Sequence, residues 1–130
     1  MRYYLDADIL LALLKQNDHL KQKANRWIAD NKDKNELITS SLSCLEVLFY
    51  LYKNGLSENA LDIIRAISIL CKVTYFNFQH IEQSIILSEH HSLSPADSIH
   101  AVLAMNYDAI ISSDKSFDKV HNLTRIDFTA

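Results

Sequence analysis

Four acidic residues stand where the surrounding pattern ends one element and opens the next. Asp6 follows the apolar run Tyr3-Tyr4-Leu5, and Asp114 follows Ala109-Ile110-Ile111-Ser112-Ser113. Asp97 lies in Ser94-Pro95-Ala96-Asp97, the first turn of a predicted helix, and Glu46 lies in Ser43-Cys44-Leu45-Glu46, the first turn of another. Singly, each has an ordinary explanation. Ser43-x-x-Glu46 and Ser94-x-x-Asp97 resemble capping boxes, acids in a first turn complement the helix dipole, and Asp6 and Asp114 suit a turn or N-cap. Gathered in one pocket they would repel, and without a cation some would have to keep a proton. A hard divalent ion relieves that repulsion, draws in phosphate and lowers the pKa of a bound water. Glu46 is the most conspicuous of the four, because Leu45, Val47, Leu48 and Phe49 surround it and a buried acid needs a partner.

The elements that must position these acids alternate. A strand is predicted over 2–5, a helix over about 9–16 and a second over 19–31. A short strand over 37–39 follows, then a strongly apolar helix over 43–53 stopped by Asn54-Gly55. A helix capped by Ser57 and carrying Leu61, Ile64, Ile67 and Ile69 runs to about Leu70, with a strand next over 73–76. Helices are then expected over 79–90 and, with Ser94 as cap and Pro95 in the first turn, from there to about Asn106. Strands over 109–112 and 123–128 complete the pattern. Strands separated by helices of this length need crossover connections, so the expected fold is α/β, a mostly parallel sheet with helices on both faces. Ligands of such sheets collect beyond the carboxyl ends of the strands, where Asp6 and Asp114 are placed.

Composition narrows the function. The chain has 130 residues, 48% of them hydrophobic, with one Gly and one Pro, which fits one globular domain over 1–130 and excludes disordered or collagenous classes. A formal charge of −3 excludes nucleic-acid binding by bulk positive charge. The same chain with those four negative charges removed would carry +1, an acidic hole in a near-neutral body. Cys44 and Cys71 sit among apolar neighbours and read as small buried hydrophobes in a reducing compartment. Charge at Arg2 and Asp6 argues against a signal peptide, and no uncharged run approaches the ~20 residues of a membrane span. A cytoplasmic protein without membrane association is expected. Adjacent His90-His91 and the lack of a Cys or His pair at ligand spacing argue against zinc.

Taken in order, the motifs resemble those of the PIN-domain nucleases, the family that includes VapC-type toxins of toxin–antitoxin modules. Tyr4-Leu5-Asp6-Ala7-Asp8-Ile9-Leu10 resembles the opening strand motif and Ser41-x-Ser43-x-x-Glu46 the second. Ser94-Pro95-Ala96-Asp97-Ser98-Ile99-His100-Ala101 resembles the third, and Ser112-Ser113-Asp114-Lys115-Ser116-Phe117 the fourth. The resemblance spans essentially the whole chain and implies a three-layer α/β/α PIN-like domain. It further implies that Asp6, Glu46, Asp97 and Asp114 form a Mg²⁺- or Mn²⁺-binding catalytic site for RNA phosphodiester hydrolysis. Ser113 would hold a carboxylate or water, Asp8 would support the site or cap the first helix, and Asp118 would sit on the acidic rim or the solvated surface. His100 is expected to hydrogen-bond rather than ligate.

RNA could reach Lys21, Lys23, Arg26, Lys32 and Lys34 around the second helix if these face the site, although Asp18, Asp30 and Asp33 dilute that patch. The apolar helix around 42–52, with the helix after it, is expected to form a homodimer face. An antitoxin would be the further partner of a toxin. Two alternatives stand beside this reading: an RNA-processing PIN nuclease outside any toxin system, and a degenerate, metal-free interaction module. A haloacid-dehalogenase-type phosphatase would need Thr or Val where Leu10 stands, and a receiver domain an Asp where the middle strand ends in Asn77-Phe78.

Overall fold

The computed structural model describes residues 1–15 and 19–130. Five strands form one parallel sheet: β1 (Arg2–Leu5), β2 (Glu36–Ser40), β3 (Lys72–Thr74), β4 (Ala109–Ile111) and β5 (Arg125–Ile126), in the order β3-β2-β1-β4-β5. The helices are α1 (Ala7–Leu14), α2 (His19–Asn31), α3 (Ser41–Lys53), α4 (Ala60–Leu70), α5 (Phe78–His91) and α6 (Pro95–Ala104).

The order explains the layers. From β1 the chain steps outward to β2 and β3 through α1–α4, then returns across the sheet to β4 through α5 and α6. A right-handed crossover that reverses direction must use the opposite face. Strand side chains divide accordingly. Leu5, Leu37 and Ile111 pack with α1 to α4 around Ile9, Leu10, Ala24, Val47, Leu51 and Ile67. Tyr4, Ile38 and Ile110, which are in register with one another, pack on the other face with Ala101, Leu103 and Ala104 of α6. The expected three-layer α/β/α architecture is what forms, with every strand pair parallel.

The local signals hold where one residue decides an end. The residue after Asn54, Gly55, adopts φ +71°, and Gly55 and Leu56 donate to the carbonyls of Tyr52 and Leu51, closing α3. Ser94 caps α6, its hydroxyl accepting from the Asp97 amide at 3.2 Å.

Other ends differ from expectation. The capping box at Ser43 and Glu46 does not form: Ser40 is the cap of α3 and accepts from the Ser43 amide at 3.2 Å. Ser40 ends β2 in an extended conformation, so the strand runs straight into the helix, and Glu46 falls in the second turn. Ser57 caps no continuous helix; a 3-10 turn over Ser57–Asn59 precedes α4 and has no side-chain cap. The first helix starts two residues earlier than expected because Asp6 caps it, and its expected end at Gln16 lies outside the described residues, as does Asp18. β3 and β5 are shorter than predicted, and a 3-10 turn over Lys115–Lys119 was not anticipated. Among the described residues no helix is long and apolar enough to cross a membrane.

Candidate functional site

Strand order reverses beside β1, whose neighbours β2 and β4 connect in opposite directions, so a crevice opens beyond their carboxyl ends. Asp6 leaves β1 there. One carboxylate oxygen, Oδ1, accepts from the Ala7 amide at 2.8 Å, and the other, Oδ2, accepts from the Ser112 hydroxyl at 2.9 Å. The Ser112 oxygen in turn accepts from the Asp114 amide at 3.0 Å, and Asp114 Oδ1 accepts from the Ser116 amide at 2.9 Å. Thus Asp6 and Asp114 are both the caps that their positions suggested, and the two caps share one serine.

Asp8 stands beside this pair. Its Oδ2 accepts from the Ser113 amide at 2.8 Å and the Ser113 hydroxyl at 2.6 Å. Its other oxygen, Oδ1, is buried without a partner. Asp8 is therefore tied to the end of β4 through Ser113, and Asp6 rather than Asp8 caps α1.

Glu46 reaches the crevice from α3 and meets His100 of α6. The His100 ring is fully buried. Its Nε2 contacts Glu46 Oε1 in a short hydrogen bond and lies 3.5 Å from Asp6 Oδ1. Its Nδ1 lies 2.7 Å from the Tyr4 hydroxyl, which donates to Ser40 Oγ at 2.7 Å. The expected hydrogen-bonding role for His100 matches this arrangement. Asp97 is half-buried one helical turn before His100.

Asp118, by contrast, is exposed and clasped by Arg125, whose Nε and Nη2 donate to its two oxygens at 2.8 and 3.0 Å. Arg125 also donates to the Ser112 carbonyl at 3.0 Å. On α2, Lys23 donates to the Thr129 carbonyl at 2.6 Å.

Electrostatics at the crevice follow from burial. Desolvation pushes the Asp6 carboxyl up to about 7, opposed by His100 and reinforced by the Asp8 charge. Asp8 is raised by burial against the hydrogen bonds from Ser113. Asp97 is raised by burial and by the negative charges of Asp114 and Glu46, with the Ser94 hydroxyl lowering it. His100 is lowered by burial but raised overall by the Glu46 hydrogen bond and by Asp6. Every shifted group in the crevice moves toward holding a proton.

Among the described residues no group of three or more His, Cys, Asp or Glu side chains is drawn together closely enough to hold a metal ion, so the four acids Asp6, Glu46, Asp97 and Asp114 are not gathered into a formed ligand set. The donor chemistry nonetheless suits a hard cation: carboxylates after β1, on α3, at the start of α6 and after β4, a buried acid raised to about 7 and an orphaned oxygen on Asp8.

Two contributors were not singled out by sequence. Ser112, rather than Ser113, holds Asp6, and its signal is a hydroxyl at the end of a wholly apolar strand. Tyr4 is polar inside a strand buried on both faces, and no alternation in Tyr3-Tyr4-Leu5 distinguishes it from Tyr3.

Crevice and topology together define the class. The chain matches the PIN-domain family model over residues 3–123 and belongs to that family. Its fold is that of solved VapC-containing structures. It is similar to VapBC2 from Rickettsia felis bound to a promoter DNA fragment, with a TM-score of 0.78 and 14% identity over 97% of this chain and 98% of that one. VapBC-1 from nontypeable Haemophilus influenzae gives a TM-score of 0.76 and 21% identity, with both chains covered fully. VapC20 of Mycobacterium tuberculosis, a sarcin-ricin loop cleaving toxin, gives 0.75 and 17% over 89% of this chain and 92% of that one. No curated protein sequence matches the chain.

Proposed function

We propose that this PIN domain is a metal-dependent endoribonuclease acting as the toxin of a type II toxin–antitoxin pair. The observation that carries the reading is the meeting of Asp6 and Glu46 on the buried His100 at the carboxyl edge of a PIN-type sheet. Asp6, Glu46, Asp97 and Asp114 are the residues that would hold Mg²⁺ or Mn²⁺. When bound, such an ion acts as a Lewis acid on phosphate and brings a water toward ionisation near neutral pH.

The chain's own residues supply the rest. Ser112 and the Ala7 amide orient Asp6, and Ser113 fixes Asp8 behind it. A proton on His100 Nε2, between Asp6 and Glu46, would let the two carboxylates stand side by side without the full repulsion of two bare charges. Asp97 and Asp114 would contribute from the start of α6 and the turn after β4.

Partners follow from the same reading. The similar structures include VapBC assemblies, which supports an antitoxin for this chain. The outer face of α3 exposes Leu45, Phe49 and Tyr52, with Leu61 exposed on α4, and this is the surface proposed for a homodimer. The inner face of α3 (Leu42, Val47, Leu51) is already buried in the core.

The test is RNA cleavage by the wild type, by Asp6→Asn and by the wild type with chelator. Cleavage by the wild type alone is expected. Equal activity in all three rules the mechanism out.

A further inference from the structure

We infer that Tyr4 is a positioning residue of this site: its hydroxyl orients the His100 ring and, through that ring, sets Glu46 beside Asp6. The inference rests on the nuclease reading above. The hydrogen bonds form a circuit that begins and ends on α3. Ser40, the cap of α3, holds the Ser43 amide at 3.2 Å and receives the Tyr4 hydroxyl at 2.7 Å. The same hydroxyl lies 2.7 Å from His100 Nδ1, and the opposite ring nitrogen meets Glu46 on that same helix and approaches Asp6 to 3.5 Å. One hydroxyl thus links the helix that carries Glu46 to the ring that Glu46 touches.

The ring of Tyr4 is held by other means. It stacks on Tyr107 at 6.3 Å between centroids with an 18° interplanar angle, and it lies fully buried in the α6-side core. Tyr4→Phe therefore removes the hydroxyl while keeping the packing. It removes the buried partner of His100 Nδ1 and one partner of Ser40 Oγ, and leaves the ring oriented through Nε2 alone, by Glu46 and Asp6. Mutating such outer groups typically weakens metal binding by about 10- to 100-fold.

The experiment compares full-length wild type, Tyr4→Phe, His100→Asn and the double variant. In metal-free protein, NMR follows the His100 Nε2 proton; titration with Mn²⁺ gives the affinity; RNA cleavage gives kcat and KM. Tyr4→Phe is expected to speed exchange of that proton, weaken Mn²⁺ binding about tenfold and lower kcat with KM for RNA unchanged. On the His100→Asn background it should add nothing, because it acts through that ring. Wild-type proton exchange and Mn²⁺ affinity in Tyr4→Phe would overturn the inference, as would full additivity in the double variant. Should Tyr4→Phe not fold, unchanged Mn²⁺ affinity in His100→Asn overturns it equally. A wild type that neither binds Mn²⁺ nor cleaves RNA defeats the nuclease reading, while the metal-free NMR comparison still decides whether Tyr4 orients His100.

Discussion

Ser112 and Asp6 join neighbouring strands at the point where the sheet reverses its order: the Ser112 hydroxyl donates to Asp6 Oδ2 at 2.9 Å, and its oxygen accepts from the Asp114 amide at 3.0 Å. A single buried side chain therefore serves two of the four proposed ligands. Ser112→Ala leaves a buried carboxylate oxygen and a backbone amide unpaired, at a cost of about 1–3 kcal/mol. Urea unfolding is the measurement. A loss below about 0.5 kcal/mol, the size of a neutral surface change, would mean that Ser112 only lies nearby.

Asp6→Asn removes a charge that burial disfavours and keeps an oxygen able to cap α1. Without metal at pH 8, the variant is expected to be as stable as the wild type or more so, and to have lost RNA cleavage. Thermal melts in chelator check the first half. A marked fall in Tm would assign Asp6 a structural role instead.

Stability should depend on pH in one direction. Burial raises Asp6 to about 7 and raises Asp8 and Asp97, while Glu46 and Asp6 raise His100 despite burial. In each case the folded state binds protons that the unfolded chain has released, so stability falls as pH rises. For Asp6 the loss starts above the usual carboxylate range near 4 and is complete above about 7, and Asp8 and Asp97 act in the same direction. For His100 it continues as pH passes its raised value. Metal-free protein should lose on the order of 3 kcal/mol between pH 5 and pH 8. Added Mg²⁺ should stabilise more at pH 8 than at pH 5, because cation and proton compete for the same oxygens. Melts across this range with and without Mg²⁺ test both statements; a flat profile would mean that the crevice takes up no protons on folding.

Phe49 is 65% exposed and Tyr52 68% on the outer face of α3. Sedimentation at micromolar concentration should show a dimer for the wild type and a monomer for Phe49→Glu, with little change in Tm because that side chain adds little to the core. A monomeric wild type would remove the proposed interface.

Much of this molecule was legible because local chemistry decides it. α2 lies within the limits its periodicity gave, and Gly55 and Ser94 stop and start helices as their backbone needs require. The cap of α3 was not, because Ser40, Ser41 and Ser43 all carry a suitable hydroxyl; the extended end of β2, where Ser40 pairs with Thr74 of β3, selects Ser40. The acids at element ends were visible one at a time. Their partners were not: His100 and Glu46 are 54 positions apart, and only the return of α6 to the far face of the sheet brings them into contact. Tyr4 was hidden for a related reason, since a strand covered on both faces carries no alternation to show which tyrosine faces α6.

The parallel order β2-β1-β4 places the two halves of the crevice at opposite ends of the polypeptide, with Asp6 and Ser112 separated by 106 positions. A nascent fragment that stops before Ala109 carries Asp6 and Glu46 but neither Ser112, Ser113 nor Asp114. The ribosome must therefore pass Asp114 before the crevice can close, and a product that stops earlier lacks the groups that hold Asp6 and Asp8.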